Sequence, residues 1–288
     1  MVWSLPDSDT FEVRAAPGSA GRAVYSRKRL EAGAHILTTA PDLSPIAHVV
    51  FKIYRKEVCA WCFAYDRGRE WKTRRHGLAF CKLEGCYDNW LNQNESRLKV
   101  YEALQMQKKP RKQHTKPSTQ VTTTADNGSD SLMSLVADSD VFKATSALVT
   151  VVPEEEYIHA YRFLLKFRRD ISAERCQQLV SRASHNAFSI RPTNDGEQSG
   201  EFLGYGVWPE ASFFNHSCRP NVRKARKGRQ WSFWVDEEQG VVEAGQELCI
   251  TYLGGDEKEL SVKERRQRLQ VEWDFRCCCL RCVEEGGP

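Results

Sequence analysis

Cysteines are the residues of this 288-residue chain whose spacing most directly suggests chemistry, and seven of the eleven fall into two groups. The first group pairs Cys59-x2-Cys62 with Cys81-x4-Cys86, which is typical of a closed tetrahedral structural zinc site. The second group lies near the end of the sequence and holds three closely spaced thiols, which need a fourth ligand from elsewhere. Its members are Cys277, Cys279 and Cys282. Ordinary free thiols are the alternative that this spacing disfavours.

Two further segments contain polar residues suited to a binding site. Asn215-His216-Ser217-Cys218 forms a compact polar motif, and Glu247 to Tyr252 has the pattern of a strand that ends in a tyrosine. Taken alone, His216 would be a structural or surface histidine and Tyr252 a core aromatic residue. Their order along the chain, followed by the cysteines at the end, is the specific signal.

In that order the segments resemble the SET domain, which moves a methyl group from S-adenosylmethionine to a lysine amine. The resemblance implies a mainly β fold, the β-clip SET fold with a pseudoknot, carrying a helical insertion and two small zinc-bound segments. It also implies a protein-lysine N-methyltransferase acting on a histone or non-histone protein. The alternative is a catalytically weak or inactive scaffold that recruits protein partners.

Site residues follow from the same resemblance. Tyr252 is expected to be the catalytic residue that lines the transfer channel, and Cys218 completes the second zinc site. A one-residue shift could let Cys278 replace a neighbouring cysteine, although the family pattern favours Cys277 and Cys279. The residues implied for S-adenosylmethionine binding are Gly21, Arg22, Ala23, Asn186, Ala187, Ser212, Asn215, His216, Tyr252, Trp273 and Phe275.

The first cysteine group resembles a MYND zinc finger inserted into the SET domain, as in the SMYD group of lysine methyltransferases. Trp90 falls where that module has a tryptophan. Asn94 and Leu98 stand where the histidine and cysteine of a second zinc site would be, so we expect a reduced finger with one zinc. Two structural zinc ions per chain are therefore predicted.

One position departs from the family pattern. The glycine-rich loop of SET domains appears here as Gly21-Arg22-Ala23, with alanine in place of the second glycine. If that position required a positive φ, alanine would be strained and cofactor binding would suffer; otherwise the change is harmless. This departure is what favours the scaffold alternative.

Composition shifts and residue patterns divide the chain into six segments. Residues 1–48 are N-terminal SET strands, 49–100 the finger, 101–138 a disordered linker, 139–185 a helical insertion, 186–260 the core SET region and 261–288 the terminal zinc segment. Helices are predicted after Pro153, after Ser172 and from the capping box at Ser261 through Leu269. An alternating strand is predicted over 231–235.

Bulk properties narrow the remaining possibilities. The net charge is +4, so any contact with nucleic acid is weak and local, through basic loops at 108–112 and 223–229. The sequence contains no run of eighteen apolar residues, so it predicts no membrane-spanning helix. Its first residues lack the features of a secretory signal. We therefore expect a reduced, intracellular monomer of the nucleus or cytoplasm, with a lysine-bearing protein as its partner.

Overall fold

The computed structural model describes residues 8–16, 21–41, 45, 47–66, 71, 73–81, 85–94, 172–192, 201–254 and 258–286. The predicted linker, the helix after Pro153, the basic run at 108–112 and Leu98 lie outside the described residues. The chain forms two compact units. One contains the described residues up to Val49, from 172 to Ser189 and from Gly204 onward, and the other contains those from Val50 to 94 and within Ile190–Leu203.

Twelve short strands are present in the described ranges. They are β1 (Phe11–Ala15), β2 (Arg22–Ser26), β3 (His35–Thr38), β4 (Ala47–Val50), β5 (Thr73–Arg75), β6 (Leu78–Phe80), β7 (Ala187–Ile190), β8 (Gly204–Val207), β9 (Asn215–His216), β10 (Val222–Lys227), β11 (Gln230–Val235) and β12 (Cys249–Ile250). They form two three-stranded sheets, ordered β10-β11-β3 and β4-β8-β7, and three pairs, β1-β2, β9-β12 and β5-β6.

The β10-β11-β3 sheet carries much of the core of the first unit. Trp231, Phe233 and Val235 of β11 are buried, while the residues between them are partly exposed. This confirms the strand predicted over 231–235, because alternate side chains of a strand point to opposite faces. Phe233 stacks on Phe214 with ring centroids 4.6 Å apart, which joins this sheet to the segment preceding β9.

Three helices are bounded by residues that the structure describes: α1 (Ala173–Asn186), α2 (Val262–Trp273) and α3 (Leu280–Gly286). The Ser172 side chain caps α1, and Ser261 and Glu264 form the predicted capping box of α2. The predicted end of α2 at Leu269 is wrong by one turn. The helix continues to Trp273 because Asp274 adopts a left-handed conformation and its N–H bonds the Gln270 carbonyl.

The second unit is built around an antiparallel hairpin of β5 and β6. Its turn passes through His76 and Gly77, both at positive φ, and residues 86–94 are helical. Phe80 and Trp90 are buried against one another between hairpin and helix, with ring centroids 5.7 Å apart. This packing places the first cysteine group at the centre of the unit.

The mainly β fold class with small cysteine-rich segments is confirmed. Among the helices that the structure describes, none has the length and apolar character needed to cross a bilayer.

Candidate active site and metal centres

Two very short parallel strands bring the motif at 215–218 to the tyrosine segment. In the β9-β12 pair, Asn215 lies opposite Cys249 and His216 opposite Ile250. The Asn221 side chain extends this pairing, since its Nδ2 donates to the Glu247 carbonyl at 2.8 Å and its Oδ1 accepts from the Cys249 N–H at 2.8 Å. Segments more than thirty residues apart are therefore fixed beside each other.

Both ring nitrogens of His216 are occupied within the protein. The Tyr252 backbone N–H donates to Nδ1 at 3.0 Å, and Nε2 lies 3.2 Å from the Cys218 sulfur. Burial lowers the pKa of His216 to about 4, so the ring is neutral at physiological pH. Its side chain consequently connects protein groups, and its backbone is the part of His216 left to contact a cofactor.

Tyr252 lies at the centre of an aromatic cluster. Its ring centroid is 5.3 Å from His216, 5.4 Å from Trp273 and 6.4 Å from Phe275. The Tyr252 hydroxyl donates to the Phe214 carbonyl at 2.9 Å. Burial, followed by the negative charges of Cys249 and Glu247, raises its pKa, so the phenol stays protonated and its oxygen can still accept a hydrogen bond.

The segment Gly21-Arg22-Ala23 meets the short helical turn at Ala211–Phe213. The Arg22 guanidinium lies over the Phe213 ring, 5.3 Å from its centroid. Gly21 has a φ of +73°, whereas Ala23 is a regular residue of β2, paired with Arg14 and fully buried. The alanine is therefore in an ordinary extended conformation, and the backbone strain that its substitution for glycine could have caused does not arise.

Ser212 connects that helical turn to the end of α1. Its hydroxyl is 2.9 Å from the Trp208 carbonyl and 3.2 Å from that of Asn186. The Asn186 side-chain amide donates to the backbone carbonyl of Arg182 within α1, and Ala187 is the first residue of β7. The structure thus brings the implied cofactor residues together in three places: 21–23 beside the helical turn at 211–213, Ser212 with 186–187, and 215–216 with Tyr252.

The Asn215 side chain is also committed to the fold. Its Nδ2 donates to the Glu247 carboxylate at 2.9 Å. This bond ties β9 to the segment that precedes β12 and supplements the Asn221 contacts.

The second cysteine group gathers four sulfur atoms within 4.8 Å of one another, namely those of Cys218, Cys277, Cys279 and Cys282. The Cys218 sulfur is 3.5 Å from that of Cys282 and 3.9 Å from that of Cys277. Cys278 is exposed and its sulfur faces the Arg276 carbonyl, so it does not replace either neighbour. Cys249, in β12, is only partly buried.

Three arginines surround this group, and the sequence patterns did not single them out. Arg265 is fully buried and its Nη2 is 3.7 Å from the Cys282 sulfur. Arg266 donates to the Cys277 carbonyl and Arg281 to the Cys218 carbonyl, at 3.1 and 3.2 Å. Hydrogen bonds from Cys218 and then Cys277 lower the pKa of Cys279, whereas the hydrogen bonds with Cys277 and Cys279, followed by burial, raise the pKa of Cys218.

The first cysteine group has the same compactness. The sulfurs of Cys59, Cys62, Cys81 and Cys86 also lie within 4.8 Å of one another. Neighbouring pairs are 3.6 Å apart for Cys62 and Cys81 and 3.5 Å apart for Cys81 and Cys86. The hydrogen bond from Cys62 lowers the pKa of Cys59 to about 5.

The hairpin and helix of the second unit are joined by aromatic residues. His76 stacks on Tyr87 and Trp90, with centroids 6.2 and 5.8 Å away. Asn94, which stands where a second zinc site would have histidine, uses its amide to bond the Trp90 carbonyl. An aromatic stack therefore connects hairpin and helix beside the cysteine group.

The basic residues expected on a loop at 223–229 mostly lie on β10, and that expectation is wrong. Arg223 pairs with Asp236 at 2.9 Å, and Arg226 and Arg229 are buried. Lys224 donates to the Thr251 carbonyl. Alternate side chains of β10 point to opposite faces, which places Arg226 on the buried face. Contact with nucleic acid stays a prediction.

Comparison with known proteins agrees with this arrangement. The SET domain family matches residues 21–253. A potential protein lysine methyltransferase of Saccharomyces cerevisiae, SET6, is 39% identical over 100 residues, covering 35% of this chain and 26% of that protein. A SET and MYND domain-containing protein of Dictyostelium discoideum is 34% identical over 104 residues, covering 36% of this chain and 22% of that protein.

The chicken (Gallus gallus) protein-lysine N-trimethyltransferase SMYD5 is 32% identical over 112 residues, which cover 38% of this chain and 26% of that protein. The matched segments thus span 22 to 26% of the length of these three relatives. Among solved structures, the SET domain of LSMT bound to lysine and AdoHcy aligns with a TM-score of 0.37 and 13% identity, over 95% of this chain and 54% of that one. The family match extends over most of the chain, and this protein belongs to the SET-domain family.

Proposed function

We propose that this protein is an S-adenosylmethionine-dependent protein-lysine N-methyltransferase. One observation carries the proposal: Tyr252, the β9 backbone and the rings of Trp273 and Phe275 converge beside a four-cysteine group. Relatives named as lysine methyltransferases support a protein substrate with a target lysine. Histones are the substrate class to test first, alongside non-histone proteins.

The residues fit a sulfonium cofactor that carries an adenine base. Tyr252, Trp273 and Phe275 form a partly buried aromatic cluster, and such side chains suit the binding of a planar base. The Arg22–Phe213 contact and the bond from Ser212 to the Asn186 carbonyl hold in place the other segments that would contact the cofactor. Bound S-adenosylmethionine would supply an electrophilic methyl group.

The cysteine groups fit zinc. Tetrahedral coordination with zinc–sulfur bonds of about 2.3 Å requires sulfur–sulfur distances of about 3.8 Å. Two sulfur–sulfur pairs in each group, at 3.5 to 3.9 Å, agree with this distance, and all four sulfurs of each group lie within 4.8 Å of one another. We propose one structural zinc in each group, which metal analysis of the purified protein should report as about two zinc per chain.

The chain's own groups would prepare the amine for transfer. The substrate amine must be neutral to attack, and a partly dry, aromatic surrounding favours its neutral form. Tyr252 cannot act as a base because its pKa is raised, but its oxygen can accept an N–H hydrogen bond from the amine. Since the Phe214 carbonyl holds the hydroxyl hydrogen, the oxygen is already oriented before substrate arrives.

Replacing Tyr252 with phenylalanine tests this role. Tyr252→Phe should lower kcat about 10²-fold through loss of orientation, with little change in S-adenosylmethionine affinity. Tyr205→Phe, on the exposed side of β8, is the matched control and should keep wild-type activity. Labelled cofactor with histones and with cell extract, followed by mass spectrometry of modified lysines, gives the readout. Equal rates in Tyr252→Phe and wild type would contradict the role.

The scaffold alternative has lost the feature that favoured it, because Ala23 lies in a regular strand without positive φ. Calorimetric titration with S-adenosylmethionine separates the two functions directly. Absence of binding would return the scaffold to first place. We also propose that the protein is a monomer located in the nucleus or the cytoplasm.

A further inference from the structure

The Tyr252 backbone is held by a side chain instead of by a sheet. Strand β12 ends at Ile250, two residues earlier, and the Tyr252 N–H donates to His216 Nδ1 at 3.0 Å. On the other side of the same ring, Nε2 is 3.2 Å from the Cys218 sulfur. One imidazole therefore spans the distance between a cysteine of the second group and the tyrosine of the candidate active site.

The geometry assigns the proton on this ring. A backbone N–H can only donate, so Nδ1 must be the unprotonated nitrogen. A neutral imidazole then carries its hydrogen on Nε2, which donates to the Cys218 sulfur. A thiolate accepts such a bond strongly because it is charged. The ring is thus directional: it donates toward the cysteine group and accepts from Tyr252.

We propose that His216 is a positioning residue that transmits the metal-loaded state of the second cysteine group to Tyr252. A metal would fix the Cys218 sulfur among three other sulfurs, and the sulfur would fix the ring through Nε2. The ring in turn holds the Tyr252 N–H. The proposal rests on the proposed function for the catalytic meaning of Tyr252, but its central measurement does not require activity.

Side-chain packing provides a second connection between the second cysteine group and Tyr252. Phe275 lies two residues before Cys277, and its ring is 6.1 Å from His216 and 6.4 Å from Tyr252. Packing alone could therefore couple the cysteine group to Tyr252. The experiment must separate the hydrogen-bonded route through the ring from this apolar route.

Two substitutions separate the two ends of the ring. His216→Asn puts an amide oxygen near the position of Nδ1 and removes the donor to Cys218. His216→Gln puts an amide nitrogen near the position of Nε2 and removes the acceptor for Tyr252. His35→Gln is the matched control, because His35 is exposed on β3 and bonded only locally to Thr38.

The first readout is hydrogen exchange of the Tyr252 amide, resolved by mass spectrometry of overlapping peptides. In metal-loaded protein, His216→Gln should speed this exchange about tenfold, the ratio expected for one lost hydrogen bond. His35→Gln should exchange at the wild-type rate, whereas His216→Asn, whose side chain no longer reaches Cys218, should exchange faster than wild type.

The second readout is metal release from each cysteine group, followed in cadmium-113-substituted protein, where the two groups give separate resonances. His216→Asn should speed release from the second group about tenfold, because a hydrogen bond to a charged sulfur is lost. Release in His216→Gln, and release from the first group in every variant, should match wild type.

Coupling is tested by removing metal with a chelator. Wild-type Tyr252 exchange should then accelerate about tenfold. In His216→Gln, exchange is already fast and should change less than about twofold.

Equal acceleration on metal removal in wild type and His216→Gln would overturn the proposal, since the coupling would then run through packing. If wild type and His216→Gln accelerated equally while methyl transfer was normal, the proposed role of His216 would fail and the proposed function would stand. The expected exchange pattern without methyl transfer to any substrate would retain the role of His216 as a bridge and reject the proposed function.

Discussion

Arg265 provides the sharpest test of how the second cysteine group is stabilised. Its guanidinium is fully buried, donates to the Leu260 carbonyl and the Glu285 carboxylate at 2.6 Å each, and approaches the Cys282 sulfur at 3.7 Å. Burial alone would lower its pKa, but hydrogen bonds to Glu285 and to the sulfurs of Cys282 and Cys218 raise it. Arg265 is therefore a permanent cation beside the thiolates.

The size of its contribution follows from charge and distance. Two unit charges about 4 Å apart interact by about 4 kcal/mol at an effective dielectric constant of about 20. A zinc ion with four thiolates carries two net negative charges, while Glu285 already offsets part of the Arg265 charge. We therefore expect Arg265→Met, which keeps most of the side-chain volume, to weaken zinc binding at this group by about 2 kcal/mol, or about 30-fold.

Competition with a chelator of known zinc affinity measures this change. Arg268→Met, at an exposed position of the same helix, is the matched control and should bind zinc as wild type does. Glu285→Gln distinguishes charge from packing, because it frees Arg265 to face the thiolates alone and should leave zinc affinity undiminished while lowering fold stability. If Arg265→Met and Arg268→Met bound zinc equally well, the electrostatic reasoning would be refuted.

Three further predictions concern single positions. Asn221→Ala should lower the free energy of unfolding by about 3 kcal/mol, because the Glu247 carbonyl and the Cys249 N–H both lose their partner, and denaturant titration measures this. Cys278→Ser should retain two zinc per chain by metal analysis, and loss of one zinc would show that it is a ligand. Ala23→Gly should destabilise the protein by about 1 kcal/mol without raising cofactor affinity in calorimetry, because β2 has no need of glycine there; a marked gain in affinity would contradict this.

Features that depend on neighbouring residues could be predicted from the sequence. The caps at Ser172 and Ser261 follow from local side-chain chemistry, and the strand at 231–235 follows from its alternation. The end of α2 was missed because it depends on the left-handed conformation of Asp274, which a non-glycine residue does not reveal in advance.

Contacts between distant segments could not be predicted in the same way. The gathering of Cys218 with the terminal cysteines came from family resemblance, whereas nothing in their spacing required it. The Asn221 side chain bonds Glu247 and Cys249, and the buried Arg265 contacts Cys282 and Glu285. These partners are 17 to 28 positions away along the chain. The burial of Arg226 is a partial exception, because interpreting 223–229 as an alternating strand predicts that this residue points inward.

The 64 residues that separate Cys218 from Cys282 have a consequence for biosynthesis. At a translation rate of about 5–20 residues per second, the thiol at 218 leaves the ribosome about 3 to 13 seconds before its last partner. During that interval the Cys218 thiol of the nascent chain is exposed without its three partner cysteines, and the site around Tyr252 is incomplete. Polypeptides truncated before Cys282 would therefore carry the whole tyrosine segment and still be unable to close the site around it.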